Sequence, residues 1–106
     1  MATSVEFIEY VYDSLKGFGF IRYKKMFGEY MVYAEEKPIF LVCDNTVYVK
    51  KHDELSDFMS SVDCGYPYNG AKEHYIVDVE NRSIMDELVP WLIRLTPYPK
   101  PKKKKE

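Results

Sequence analysis

Between residues 20 and 51 the chain reads as short strand-like runs separated only by tight turns. That pattern constrains the fold more than any other feature. Tyr30, Val32 and Ala34 alternate with Met31 and Tyr33, Phe40 and Val42 with Ile39, Leu41 and Cys43, and Val47 and Val49 with Tyr48. Period two is the signature of strands with one face in a core. Connections this short cannot carry a parallel crossover, so the pairing must be antiparallel. Asp44-Asn45 predicts a two-residue hairpin, because both residues tolerate positive φ, while Glu35-Glu36-Lys37-Pro38 predicts a longer polar turn. Gly28, just after Met26-Phe27, predicts a bulge or a close backbone approach.

Helical periodicity flanks this meander. Val5, Ile8, Val11, Tyr12 and Leu15 recur at helical spacing behind a Thr3/Glu6 capping box, and Gly17 is placed to stop the helix. Leu55, Phe58, Met59 and Val62 predict a second helix capped by Asp53. Residues 63–72 are rich in Gly, Pro and Asn and read as a loop, and His74 to Val79 alternates as a further strand. A last helix is expected over about residues 83–95, with Ile84, Leu88, Leu92 and Leu95 on one stripe and Trp91 beside it. Pro90 either kinks that helix or marks a start near Asp86. The expected fold is α+β, an antiparallel sheet in the order α-ββββ-α-β-α packed on helices. It makes a single domain over 1–96, followed by a disordered Pro/Lys-rich tail over 97–106. A chain with 46% hydrophobic and 16% aromatic residues is apolar enough for one core of its own.

Several segments resemble the N-terminal domain of the TfoX/Sxy family. They are Met26-Phe27-Gly28 followed by Tyr30 and Tyr33, then Pro38 to Val42, then Val47-Tyr48-Val49-Lys50. The likeness continues through Gly65-Tyr66-Pro67-Tyr68, Tyr75 and the Asp86 to Trp91 segment to the lysine-rich end. It covers nearly the whole chain. The family pattern commonly reads Met-Phe-Gly-Gly-Tyr-Gly, and here Glu29 and Met31 stand where glycines are common. The resemblance implies a curved antiparallel sheet against helices, similar to secretion-chaperone-like proteins. Full-length members regulate natural competence in bacteria, acting with the DNA-bound cyclic-AMP receptor protein at competence promoters. They join this domain to a C-terminal helical one, and the 106 residues here correspond to the first. No family-wide catalytic residues come with the resemblance.

Charge is split along the chain. Residues 1–96 hold 10 Lys and Arg against 16 Asp and Glu, a net of −6, whereas residues 97–106 hold five lysines against Glu106, a net of +4. An acidic body argues against a broad nucleic-acid surface, since nonspecific affinity comes from neutralising phosphates. The favoured reading of Lys102, Lys103, Lys104 and Lys105 is a solvated end, with a weak salt-sensitive attraction to polyanions as the alternative. Ten tyrosines pose a second choice. Tyr30, Tyr33, Tyr48, Tyr66 and Tyr68 either pack across strands or line an exposed face. On such a face Arg22, Lys24, Lys50 and Lys51 would add charge for stacking single-stranded bases.

Catalytic signatures are weak. His52, His74, Cys43 and Cys64 lack the paired spacing of a zinc site. No glycine-rich phosphate cradle is present. The acidic pairs sit at turns or expected helix starts, where the helix dipole accounts for them. The two cysteines could pair, but without an export signal reduced thiols are expected. The helices present Glu and Asp rather than a groove-reading set of Arg, Lys, Asn and Gln. Three readings therefore stand. The first is a non-enzymatic interaction domain acting through protein contacts, without metal or cofactor, the partner implied by the resemblance being a DNA-bound activator such as the cyclic-AMP receptor protein. The second is a weak nucleic-acid binder using tail and sheet aromatics, and the third an enzyme centred on Cys64 and His74. An exposed strand edge or sheet face predicts a homodimer. With no signal pattern and no apolar run approaching about 18 residues, a soluble cytoplasmic protein with no membrane contact is expected.

Overall fold

Residues 3–26 and 29–98 are described by the computed structural model. The bulge expected at Gly28 falls outside them. The elements are α1 (Val5–Leu15), a 3-10 turn (Lys16–Phe18), strands β1 (Ile21–Met26), β2 (Glu29–Ala34), β3 (Lys37–Cys43) and β4 (Thr46–Lys50), a 3-10 turn (Asp53–Leu55), β5 (Cys64–Gly65), β6 (His74–Val77) and α2 (Arg82–Leu95). All six strands join one antiparallel sheet in the order β1-β2-β3-β4-β6-β5. The α+β class follows the reading from sequence.

The alternation decides which face is covered. Tyr30, Val32, Ala34, Phe40, Val42, Val47, Val49, Tyr75 and Val77 are buried and share a core with Ile8, Val11 and Leu15 of α1 and Met85, Leu88, Val89 and Leu92 of α2. Each buried Val, Leu, Ile, Phe or Met among them contributes about 1.5–3 kcal/mol by leaving water. The other face carries Met31, Leu41, Tyr48 and Ile76, which lie in one cross-strand row and are half-buried.

Both helices form where the stripes place them, with changes at their ends. α1 is capped by Ser4, whose side chain accepts from the Phe7 N–H at 3.1 Å, not by Thr3. Thr3 is instead buried and hydrogen-bonded to Glu29 at 2.6 Å, so its oxygen is engaged elsewhere. Gly17 lies within the 3-10 turn, and the positive φ needed to turn into β1 falls on Gly19. α2 is capped by Asn81 and begins at Arg82, which leaves Pro90 inside the helix rather than near its start. Pro90 stands on the exposed side, where water can satisfy the carbonyl that loses its amide partner.

The second helix expected from Asp53 does not form. Leu55 and Met59 are buried as their spacing required, but the backbone is a 3-10 turn followed by further turns. Its bonds are mostly of the i to i−3 type, such as Ser56 N–H to Asp53 carbonyl at 3.1 Å and Val62 N–H to Met59 carbonyl at 3.1 Å. Ser56, Asp57, Ser60 and Ser61 are poor helix formers that compete for backbone groups, and burying two side chains does not require a regular helix. Asp53 is accordingly not a cap. β5 appears inside the segment read as a loop. Two residues paired to β6 leave no periodicity to detect.

The turns of the meander also differ in part. Asp44 and Asn45 have φ of 51° and 55°, the expected two-residue hairpin. Glu35 and Glu36, at 51° and 68°, form a second one, so Lys37 and Pro38 belong to β3 rather than to a longer turn. The cost of positive φ at two glutamates is offset by their carboxylates: Glu35 accepts from the Phe20 N–H at 2.9 Å and Glu36 from Arg22 at 2.8 Å. Val32 lies opposite Phe40 and Tyr33 opposite Pro38, leaving Ile39 as an extra residue on β3. This bulge resets the face: Ile39 is buried although simple alternation puts it outside. Lys37, opposite buried Ala34, donates to the Ile93 carbonyl at 2.8 Å, which satisfies an orphan acceptor in the last turn of α2.

Candidate functional site

The two faces of the sheet carry different charge, and the difference follows from register. Strand partners share a face, so Arg22 and Lys24 of β1, Lys50 of β4 and His74 of β6 fall on the outer side with Tyr33 and Tyr48. The acidic residues collect on the helical side. α1 exposes Glu6, Glu9 and Asp13, and α2 exposes Asp86 and Glu87. Asp53, Glu54 and Asp57 flank the buried Leu55 and Met59, and Asp78 and Glu80 precede α2. Those ten are most of the sixteen acids in residues 1–96. The net acidity of the body therefore belongs mainly to the helical layer, which the linear sum conceals.

At the end of the sheet where β3 starts and β4 ends, the outer face becomes concave. A trough of about 450 Å3 is lined by Met31, Leu41 and Tyr48, with Tyr68 and Tyr98 among its walls. It shares Lys50, Tyr68 and His74 with a hollow of about 510 Å3 that adds Lys51 and Lys72. His74 is held edge-on to Tyr48, ring centroids 6.4 Å apart. Its Nδ1 lies 2.7 Å from the Lys72 carbonyl, and since a carbonyl only accepts, Nδ1 carries the proton.

The residues singled out from sequence are thus only partly assembled. Lys50 borders the trough. Arg22 is engaged, its guanidinium 4.3 Å from the Tyr33 ring centre and 2.8 Å from Glu36. Lys51 pairs with Glu73 at 2.8 Å, which raises its pKa, and lies over the Tyr75 ring at 5.1 Å. Lys24 is exposed on β1. Tyr30 is a core residue at 6% exposure and offers no ring to a ligand, because its register places it beneath the helices. Trp91 is on the outer surface of α2 with Arg94 stacked at 5.4 Å. Met26 ends β1, while Phe27, Gly28 and Lys102, Lys103, Lys104 and Lys105 lie outside the described residues. Lys72 and Tyr98 were not singled out, since residues before a strand and after a helix carry no periodic signal.

The Cys64 and His74 pair is not assembled. Cys64 lies opposite Tyr75, on the helix-bearing face, while His74 points to the other. A β-sheet stands between thiol and imidazole. Both cysteines are free thiols. Burial, with help from Glu29 and Asp44, pushes the Cys43 thiol up to about 11. In the native protein a thiol reagent at neutral pH should modify the exposed Cys64 and spare Cys43 until denaturant is added; equal labelling of both would contradict this placement. His52 is partly buried, which lowers its pKa, with Lys50 acting in the same direction. Among the described residues no group of three or more His, Cys, Asp or Glu is placed to hold a metal ion, and no helix is long and apolar enough to cross a membrane.

The chain is similar to known proteins over nearly its whole length. A protein of Spirochaeta aurantia, described as an uncharacterized 12.7 kDa protein in the trpE 5′ region, is 34% identical over 107 residues, covering 99% of this chain and 93% of that one. Residues 13–93, which run from the end of α1 through most of α2, match the family model of the TfoX N-terminal domain. The chain therefore belongs to the TfoX N-terminal domain family.

Proposed function

We propose that this domain is a non-enzymatic regulatory module, a bacterial transcriptional co-regulator of the competence type, that works by docking its acidic helical layer on a basic protein surface. The family, one of non-catalytic domains, supports the first part. The observation that carries the second is the segregation of ten carboxylates onto the helical side. On α1 they surround an open hollow of about 600 Å3 lined by Glu6, Glu9 and Asp13 together with Val5 and Tyr10. Val5 is 60% exposed and Tyr10 37%, so an apolar contact is available at the centre of a charged ring. Interfaces combine those features: the centre contributes desolvated area, and the charges set orientation and on-rate. A DNA-bound activator such as the cyclic-AMP receptor protein is the partner this reading names.

The test is direct binding of that receptor protein, loaded on duplex promoter DNA, to the full chain and to an E6K/D13K variant. Both side chains are exposed, so the variant should fold normally. The expected result is at least about a tenfold loss of affinity, since like-charge juxtaposition costs several kcal/mol. Equal affinity of variant and wild type, or no binding by either, would overturn the reading.

A further inference from the structure

The outer face of the sheet has no role in that reading. We infer that the trough at its end binds a small planar aromatic anion, a flat ring system bearing one carboxylate or phosphate group, with its charge toward Lys50.

The floor of the trough is apolar. Met31 and Leu41 are cross-strand partners, Leu41 in turn lies opposite Tyr48, and all three are half-buried. A concave apolar surface with a few convergent polar groups is the ordinary form of a ligand pocket, and about 450 Å3 lies within the usual range. The walls are aromatic. Tyr68 is 61% exposed and Tyr98 65%, so neither ring is spent on the core. The Lys37 ammonium lies 4.8 Å from the Tyr98 ring centre and donates to the Ile93 carbonyl at 2.8 Å, which ties that ring to the last turn of α2. Tyrosine rings take up a flat partner by stacking or edge contact, and lose little freedom in doing so.

Charge decides the rest of the ligand. No aspartate or glutamate lines the trough, although the body of the protein is acidic overall. Lys50 is exposed and makes no ion pair among the described residues, whereas Lys51, in the adjoining hollow, is held by Glu73. His74 commits Nδ1 to the Lys72 carbonyl, which leaves Nε2 for a ligand. An anion in the trough therefore meets a cation with no carboxylate competing for it. A cationic ring would meet like charge.

Titration of the isotope-labelled full chain with four probes, followed by amide NMR shifts, tests the inference. The probes are 2-naphthoate, 2-naphthyl phosphate, uncharged 2-naphthamide and cyclohexanecarboxylate. 2-Naphthoate should bind with a Kd at or below about 1 mM, as expected for a ligand of its size, and shift the amides of Met31, Leu41, Tyr48 and His74. It should bind about fivefold more tightly than 2-naphthamide, and Lys50→Gln should abolish that preference without weakening the amide. Cyclohexanecarboxylate, which has the charge but no flat ring, should bind about fivefold more weakly than 2-naphthoate. Tyr68→Ala and Tyr98→Ala should each weaken every naphthyl probe roughly threefold or more. The order of 2-naphthoate and 2-naphthyl phosphate tells which anionic group the site prefers, and either order upholds the class. All three substituted side chains are exposed, and a thermal melt verifies that the variants stay folded. Shifts that do not saturate at several times the expected Kd, shifts confined to the helical side, 2-naphthamide bound as tightly as 2-naphthoate, or a Lys50→Gln variant that keeps the preference would each overturn it. The acidic layer lies on the other side of the sheet, so E6K/D13K should bind these probes like the wild type, and failure here and failure of the docking reading are separate results.

Discussion

Phe40→Ala is expected to destabilise the domain by about 3–5 kcal/mol, the range for deleting a fully buried aromatic ring. Phe40 is 1% exposed and is the largest of the fully buried side chains. It sits opposite Val32, next to the bulge at Ile39, where the sheet meets the core residues of both helices. The surrounding backbone is held by strand pairing and cannot collapse freely into the space, which puts the cost above the transfer term alone. A domain of this size has only about 5–15 kcal/mol in total, so much of its stability is at stake. Urea denaturation should show the midpoint falling with an unchanged slope. A loss under about 1 kcal/mol would mean that Phe40 is not at the centre of the core. The matching change on the uncovered face, Leu41→Ala, should cost far less, because Leu41 is only half-buried.

Removing the Glu29 side chain is the second large effect, expected at about 2–3 kcal/mol for Glu29→Ala. Glu29 Oε1 accepts from the Thr3 hydroxyl at 2.6 Å, the Thr3 N–H at 3.2 Å and the Asp44 N–H at 3.1 Å. Thr3 is buried, and its oxygen in turn accepts from the Asn45 N–H at 3.2 Å. One carboxylate therefore ties the start of α1 to the β3–β4 turn. Deleting it leaves donors without their charged acceptor, which costs more than a surface hydrogen bond. A double-mutant cycle with Thr3→Val measures the pair itself, and a coupling near zero would show that the network is ornamental.

Particular residues show why the sequence was readable in some places and not in others. The faces of β2 and β4 follow from period two because every residue in those strands has its partner opposite, and nothing shifts the count. β3 breaks the count at Ile39, and the break is invisible in the residues themselves, since Ile39 and Phe40 are equally suited to a core. Asp44-Asn45 announces its turn through side chains that tolerate positive φ. Glu35-Glu36 does not, because its conformation is stabilised by Phe20 and Arg22, which are distant in sequence. Leu55 and Met59 declared their burial but not their backbone, since a 3-10 turn followed by further turns buries the same two side chains as a helix.

The candidate sites divide in the same way. Which residues carry charge and which carry rings is written in the chain, and so is the absence of metal-type spacing. Whether they meet is not. Register separated Cys64 from His74, burial withdrew Tyr30, and Glu36 and Glu73 neutralised Arg22 and Lys51. Tertiary packing also gathered ten acids on the helical side and brought Lys50, Tyr68 and Tyr98 to one trough, with Lys72 in the adjoining hollow. Local patterns of hydrophobicity and turn chemistry act over a few residues and therefore determined the class of fold, most of the strands and both long helices. The polarity of the molecule and the composition of its sites arise from contacts between residues tens of positions apart, whose energies exist only once the sheet has closed its register, and so only the tertiary structure decided them.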